Sequence, residues 1–137
     1  MSQHDVLITA ESKGIPLICE MARMNGNARY VLARKSPKLY MRDVLTVEVR
    51  SITTDHKQTL CLDGGDAEYL KGKRVVIVDD VISTGESLKA LETLVEKAGG
   101  NIVGRMAILA EGDATKRDDI IYLEKLPLFN PDGTVKA

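Results

Sequence analysis

The sequence lacks an excess of charge of either sign. Its 137 residues include 19 Lys and Arg against 20 Asp and Glu, so the formal net charge is -1. No overall basic field therefore draws the chain to nucleic acid or to an anionic membrane surface, and we expect neither as a partner. Any anion that the protein binds must be held by a local cluster of donors.

Cysteine and long apolar runs are also scarce. The two cysteines, Cys19 and Cys61, lie in apolar runs without metal-ligand spacing, and we expect both to be core residues. Residues 1–5 lack the charged segment that precedes the apolar stretch of a secretion signal. The longest apolar runs, such as residues 75–78, are far shorter than the ~20 residues that cross a bilayer. The sequence therefore predicts a cytoplasmic protein with reduced thiols.

The composition is typical of a globular protein, with 44% hydrophobic and 28% charged residues. A chain of this length buries a sizeable core, and we expect residues 1–137 to form a single domain. Apolar runs, and apolar residues spaced three and four apart, predict alternating strands and helices. We expect strands at residues 6–8, 30–33, 44–49, 59–62, 75–78 and 102–109. We expect a helix that starts after residue 14 and stops near residues 25–27, a second helix at residues 86–98, a loop at residues 34–42, and turns at residues 63–66 and 113–119.

A continuous apolar run at residues 75–78 is typical of a central parallel strand buried on both faces. It is followed by an amphipathic helical stripe and by a further strand, so residues 75–109 predict a βαβ unit in a parallel sheet. By contrast, residues 50–57 are polar except for Ile52. We expect them to form a flexible flap between two strands, the alternative being an ordinary long hairpin.

The most informative stretch follows the buried strand. Asp79 and Asp80 end the strand, and residues 83–85, Ser-Thr-Gly, lead directly into a helix. Open α/β sheets bind ligands at the carboxyl ends of their strands. The helix N-terminus offers unpaired N–H groups to a phosphate, while carboxylates accept hydrogen bonds from hydroxyls or bind a divalent cation. Together the acidic pair and the helix N-terminus indicate a ribose 5-phosphate ligand.

The acidic pair and the Ser-Thr-Gly turn each also have a simpler interpretation. Ser83 or Thr84 can serve only as an N-cap, and the acidic pair can be a solvated strand end. A receiver domain carries an acidic pair too, but near the start of its chain, and a Walker loop needs a Gly-Lys-Ser/Thr ending that is absent here. Because the acidic pair and the Ser-Thr-Gly turn are adjacent, we favour the interpretation that they bind a ligand together.

The stretch from Val75 to Ser87 resembles the signature of the type I phosphoribosyltransferases, which bind 5-phosphoribosyl-1-pyrophosphate (PRPP). Residues 11–14, 31–39 and 126–129 are similar to that family's pyrophosphate loop, Arg-Lys segment and closing segment, with adenine phosphoribosyltransferases the most similar branch. The resemblance implies a parallel-sheet, Rossmann-like α/β fold, Mg²⁺ as cofactor and a homodimer. It also implies a non-proline cis peptide bond at Ser12–Lys13.

The resemblance also implies roles for individual residues. Asp79 and Asp80 would hold the ribose hydroxyls and, indirectly, Mg²⁺. Because pyrophosphate leaves with developing negative charge, cationic contacts that strengthen as the bond breaks lower the barrier. Lys13 and Arg34 are therefore expected to be catalytic together with the acidic pair. The expected substrate-binding residues are Ser12, Lys35 and Lys38 near pyrophosphate, and Val81, Ile82, Ser83, Thr84, Gly85, Glu86 and Ser87 around the 5′-phosphate.

The implied function is transfer of ribose 5-phosphate from PRPP to a purine base, with adenine as the first expectation, giving a nucleoside monophosphate and pyrophosphate. The alternative is a non-catalytic module on the same fold that senses PRPP or a nucleotide. Family members carry a hood segment before the first strand, which we expect this chain to lack. The flap glutamate of the family has no clear counterpart, so Asp55 and His56 are candidates, and Phe129 is expected either to cover the base or to seal the core.

Overall fold

A computed structural model of the protein describes residues 4–26, 29–50 and 57–136. Within these residues, a main sheet of five parallel strands and an antiparallel hairpin combine with helices on both sheet faces. The main-sheet strands are β1 (Val6–Ala10), β2 (Tyr30–Ala33), β5 (Arg74–Ile82), β6 (Asn101–Glu111) and β7 (Ile121–Leu126). The hairpin strands are β3 (Leu45–Arg50) and β4 (Lys57–Leu62). The helices are α1 (Ile15–Met24), α2 (Gly64–Leu70), α3 (Glu86–Lys97) and the 3-10 helix η1 (Gly112–Lys116). This architecture confirms the predicted fold class.

The order of the main sheet is β2-β1-β5-β6-β7, so β5 lies at its centre. Its four residues from Val75 to Val78 have no exposed surface. Val75 and Ile77 pack into the core on the α3 side, whereas Val76 and Val78 pack against α1 on the other face. The strand is apolar at every one of these positions because both of its faces are covered.

The two longer helices follow their apolar stripes. In α3, Leu88, Leu91 and Leu94 are buried, and Gly99 adopts a φ of 86° just beyond the helix end. In α1, Ile18 and Ala22 are buried, and the helix ends before residue 25 as predicted. Within the described residues, neither these helices nor any other is long and apolar enough to cross a membrane.

Three predicted boundaries were wrong. Residues 63–66 do not form a turn, because α2 begins at Gly64 and is held by the buried side chain of Leu70. The strand of the acidic pair does not end at residue 78, since β5 pairs with β6 as far as Ile82. The expected solvated turn at residues 113–119 contains η1, whose Ala114 is buried. The additional strand β7 pairs with β6 and was not predicted.

Two predicted core residues are exposed. Cys19 lies on the solvent side of α1, one position from the buried Ile18, and its thiol donates to the hydroxyl of Tyr30 at 3.4 Å. Cys61 is buried, as expected. Phe129 is 56% exposed and therefore does not seal the core.

The hairpin strands are longer than predicted at the flap end, and residues 51–56, with the flap candidates Asp55 and His56, lie outside the described residues.

Candidate functional site

A cleft of about 660 Å³ opens at the carboxyl end of the main sheet. The ends of β1 and β5, the start of α3 and the first residues of β4 form its walls. The expected site residues that line it are Ser12, Lys13, Lys35, Asp79, Asp80, Val81, Glu86 and Ser87. The fold therefore brings the acidic pair, the start of the phosphate loop's helix and two of the predicted lysines to one cavity.

The loop between β5 and α3 has the geometry of a tight strand-to-helix turn. Gly85 is the N-cap residue of α3 with a φ of 85°, a conformation that residues with a Cβ rarely adopt. The hydroxyl of Thr84 accepts a hydrogen bond from the N–H of Glu86 at 3.3 Å. The hydroxyl of Ser83 donates to Oε1 of Glu111 at 2.9 Å. Neither hydroxyl residue is the N-cap, so the simpler capping interpretation is wrong.

Ile82 is not a side-chain contact of the cleft. It is 3% exposed and packs in the core, because successive side chains of β5 point to opposite faces of the sheet. Any contact of Ile82 with substrate would therefore have to come from its backbone, and its role as a substrate-binding residue stays a prediction. Val81, its neighbour in the strand, does line the cleft.

The two carboxyl groups of the acidic pair influence each other's ionisation. Burial, together with the hydrogen bond to the side chain of Asp80, raises the pKa of Asp79 to about 7. Burial opposes ionisation of Asp80 as well, but hydrogen bonds from Asp79 and from the N–H of Val81 hold its pKa below the usual range. The N–H of Asp80 also donates to Oδ1 of Asp79 at 2.8 Å. Near neutral pH the free site therefore holds Asp80 ionised and Asp79 close to half protonated.

The raised pKa of Asp79 gives the protein a pH-dependent stability with a defined sign. Ionising a group whose pKa is higher in the folded state favours unfolding, so its contribution is complete below 3.8 and is lost as the pH rises towards about 7. We expect Asp79→Asn to flatten the fall in the free energy of unfolding across this range, by a few kcal/mol at most. Urea denaturation at several pH values, without metal or ligand, measures it. Equal pH slopes for both proteins would contradict the shift.

Glu11 organises the cationic segment beside the cleft. Its Oε1 accepts a hydrogen bond from the N–H of Lys35 at 2.6 Å, and this bond is the main cause that lowers the pKa of Glu11. Nη1 of Arg34 lies 3.4 Å from Oε2, and Nζ of Lys38 lies 4.0 Å from Oε1. Arg34 and Lys38 thus pair with Glu11 at the rim and do not line the cleft, whereas Lys35 does.

Sequence reasoning missed part of this site. Glu11 belongs to residues 11–14, which resemble the pyrophosphate loop, but no role was predicted for Glu11 itself. The cis peptide bond lies between Glu11 and Ser12, one residue earlier than expected. The start of β4 also lines the cleft, and the hydroxyl of Ser87 lies 3.4 Å from Oε1 of Gln58. No pattern within β4 indicated this position.

The donor set fits a magnesium ion only in part. Asp79 and Asp80 offer carboxylate oxygens, the ligands that Mg²⁺ prefers. Among the described residues, however, no group of three or more His, Cys, Asp or Glu side chains could hold a metal ion. This fits an ion that takes most of its ligands from water and from substrate phosphates, as Mg²⁺ commonly does.

Fold and cleft together define an α/β protein with a polar cleft at the carboxyl end of a parallel sheet, where open α/β sheets bind their ligands. The family model described as "Phosphoribosyl transferase domain" matches residues 2–128. The chain therefore belongs to the phosphoribosyl transferase family.

Individual relatives agree on the family but differ in the base that they are named for. The chain is 36% identical over 113 residues to a hypoxanthine/guanine phosphoribosyltransferase of Methanococcus voltae, with 82% of this chain and 56% of that protein covered. It thus spans little more than half the length of that relative. A xanthine phosphoribosyltransferase of Clostridioides difficile is 29% identical, with 96% and 72% covered. The structure of an adenine phosphoribosyltransferase of Thermoanaerobacter pseudethanolicus superposes with a TM-score of 0.75 at 28% identity, covering 90% and 72%.

Proposed function

We propose that this protein is a purine phosphoribosyltransferase, which transfers ribose 5-phosphate from PRPP to a purine base and releases pyrophosphate. The observation that carries the proposal is one cleft that joins an acidic pair, the start of α3 and three lysines, Lys13, Lys35 and Lys57. A helix N-terminus suits a phosphate, carboxylates suit vicinal hydroxyls, and lysines suit pyrophosphate. PRPP presents all three groups.

The proposed reaction breaks the bond between C1 of the ribose and the pyrophosphate oxygen, and forms a bond from C1 to a purine nitrogen. Loops at the start of α3 hold the 5′-phosphate, while Asp79 and Asp80 accept hydrogen bonds from the ribose hydroxyls. Lys13 and Lys35 face the leaving pyrophosphate, where their positive charge matters most as negative charge develops. Bound Mg²⁺ would supply further positive charge to the phosphate oxygens.

The acidic pair also aids the sugar itself. The ribose gains positive charge as pyrophosphate departs, and an ionised carboxylate nearby stabilises that charge. Asp80 is the member of the pair whose pKa lies below the usual range, so it supplies this charge at neutral pH. Binding of a cation to the pair would favour ionisation of Asp79 as well.

We propose adenine as the preferred base. The support is the structural likeness to adenine phosphoribosyltransferases of Thermoanaerobacter pseudethanolicus and Rhodothermus marinus, at 28% and 26% identity. The higher sequence identity to a hypoxanthine/guanine enzyme makes the 6-oxopurines the competing substrates. A homodimer and a cytoplasmic location stay predictions.

Turnover with four bases tests both the proposed reaction and the proposed preference for adenine. The protein is incubated with PRPP, Mg²⁺ and radiolabelled adenine, hypoxanthine, guanine or xanthine, and the monophosphate is separated from the base. We expect adenosine monophosphate to form fastest, with one pyrophosphate released per product, and no turnover in EDTA. Faster turnover of an oxopurine would reject adenine while keeping the reaction. PRPP binding without product from any base would instead favour the sensing module.

A further inference from the structure

Arg117 reaches the phosphate loop from a distant part of the chain. It follows η1, yet its Nη1 lies 3.1 Å from the position that a Cβ at Gly85 would occupy. A side chain at residue 85 would therefore crowd the guanidinium. The glycine serves two purposes, because it allows the positive φ of the turn and leaves room for a cation against the loop.

Asp119 fixes the orientation of this guanidinium. Its carboxylate accepts hydrogen bonds from Nε of Arg117 at 2.9 Å and from Nη2 at 2.6 Å. Such a two-point contact holds the guanidinium plane in one direction. It uses one edge of the group, so that the N–H groups of Nη1, on the side of Gly85, are left for another acceptor. The pair is only partly exposed, at 35% for Arg117 and 40% for Asp119.

Asp119 and Glu92 hold the pKa of Arg117 above its usual value, but the helix end beside it does not favour a cation. The first N–H groups of α3 carry the positive end of the helix dipole, and an arginine beside them gains nothing from the helix. A bound anion reverses the sign of this interaction, because it attracts both the helix terminus and the guanidinium. The arrangement therefore suits a site that is occupied by a phosphate during function.

We propose that Arg117 binds the 5′-phosphate of PRPP through Nη1, and that Asp119 is the positioning residue that aims it. This inference rests on the proposed function, because it assigns one further residue to the same phosphate site. It corrects the expectation that residues 113–119 are only a solvated turn. Lysine is a poor replacement, since a single ammonium cannot bind Asp119 at two points and still face the phosphate.

Isothermal titration with two separate ligands tests the proposal. Ribose 5-phosphate carries the 5′-phosphate, whereas pyrophosphate with Mg²⁺ occupies the opposite part of the cleft. We expect Arg117→Gln to weaken ribose 5-phosphate binding about tenfold or more, as for a lost hydrogen bond between charged groups, and to leave pyrophosphate binding unchanged. Asp119→Asn should cause a smaller loss, and Arg117→Lys should restore only part of the affinity. Arg23→Gln on α1 is the matched control for loss of charge, because Arg23 pairs with Glu20 alone among the residues that the structure describes.

The outcomes separate this inference from the proposed function. Wild-type affinity for ribose 5-phosphate in Arg117→Gln would overturn the role of Arg117 and leave the proposed function standing. An equal loss for both ligands, together with a lower Tm of the free protein, would show that Arg117 only supports the fold. Failure of the wild-type protein to bind PRPP or ribose 5-phosphate would reject the proposed function itself.

Discussion

Replacing Asp79 and Asp80 together with asparagine should weaken PRPP binding in the presence of Mg²⁺ by about 100-fold or more. In the proposed binding mode each carboxylate accepts a hydrogen bond from a ribose hydroxyl, and two such bonds to charged groups are expected to contribute at least ~3 kcal/mol. The substitution also removes the negative charge that attracts the cation. Isothermal titration of wild type and double variant with PRPP and Mg²⁺ measures the loss.

A matched control separates this loss from a general effect of charge. Asp113 and Asp118 are exposed carboxylates outside the cleft, and replacing both with asparagine removes the same formal charge. We expect this control to bind PRPP as the wild type does. The Tm of the acidic-pair variant, measured beside that of the wild type, separates a loss of binding from a loss of fold. Equal PRPP affinity of all three proteins would show that the acidic pair does not contribute to PRPP binding.

A single methyl group at Gly14 should damage both stability and activity. A Cβ there would lie 2.3 Å from Oγ1 of Thr9, whose side chain is fully buried on β1. Relief requires the loop of residues 11–14 or the end of β1 to move, and overpacking of this kind costs about 1–3 kcal/mol of unfolding free energy. Because Ser12 and Lys13 line the cleft, we expect turnover to fall at least about tenfold as well.

Denaturation and turnover assays of Gly14→Ala test this close contact. Gly65→Ala is the control, because the nearest atom to its added Cβ is Oδ2 of Asp63 at 3.9 Å and the residue lies in α2. An alanine should be tolerated there, or should stabilise the helix slightly. Wild-type stability and turnover in Gly14→Ala would mean that the loop adapts freely and does not hold Lys13 in place.

Local sequence determined the centre of this protein. The strand at residues 75–78, the acidic pair and the turn into α3 are contiguous, so their pattern could be interpreted without knowing what packs on them. The apolar stripe of α3 and the end of α1 before residue 25 were equally local, because helix faces and helix ends depend on residues within one or two turns. These features sufficed to predict the parallel α/β fold, and the phosphate site that they also indicate stays a prediction.

Only the tertiary structure decided how the rest of the cleft is built. The helix α2 begins with two glycines, so its local preference is weak and burial of Leu70 holds it. Glu11 pairs with Arg34 across a gap of 23 residues, and Arg117 meets Gly85 from beyond β6. Such contacts depend on strand order and register, and short-range periodicity carries no information about either. The chain's own pattern therefore predicted the fold and the acidic end of its central strand, while long-range packing decided which charged side chains line the cleft.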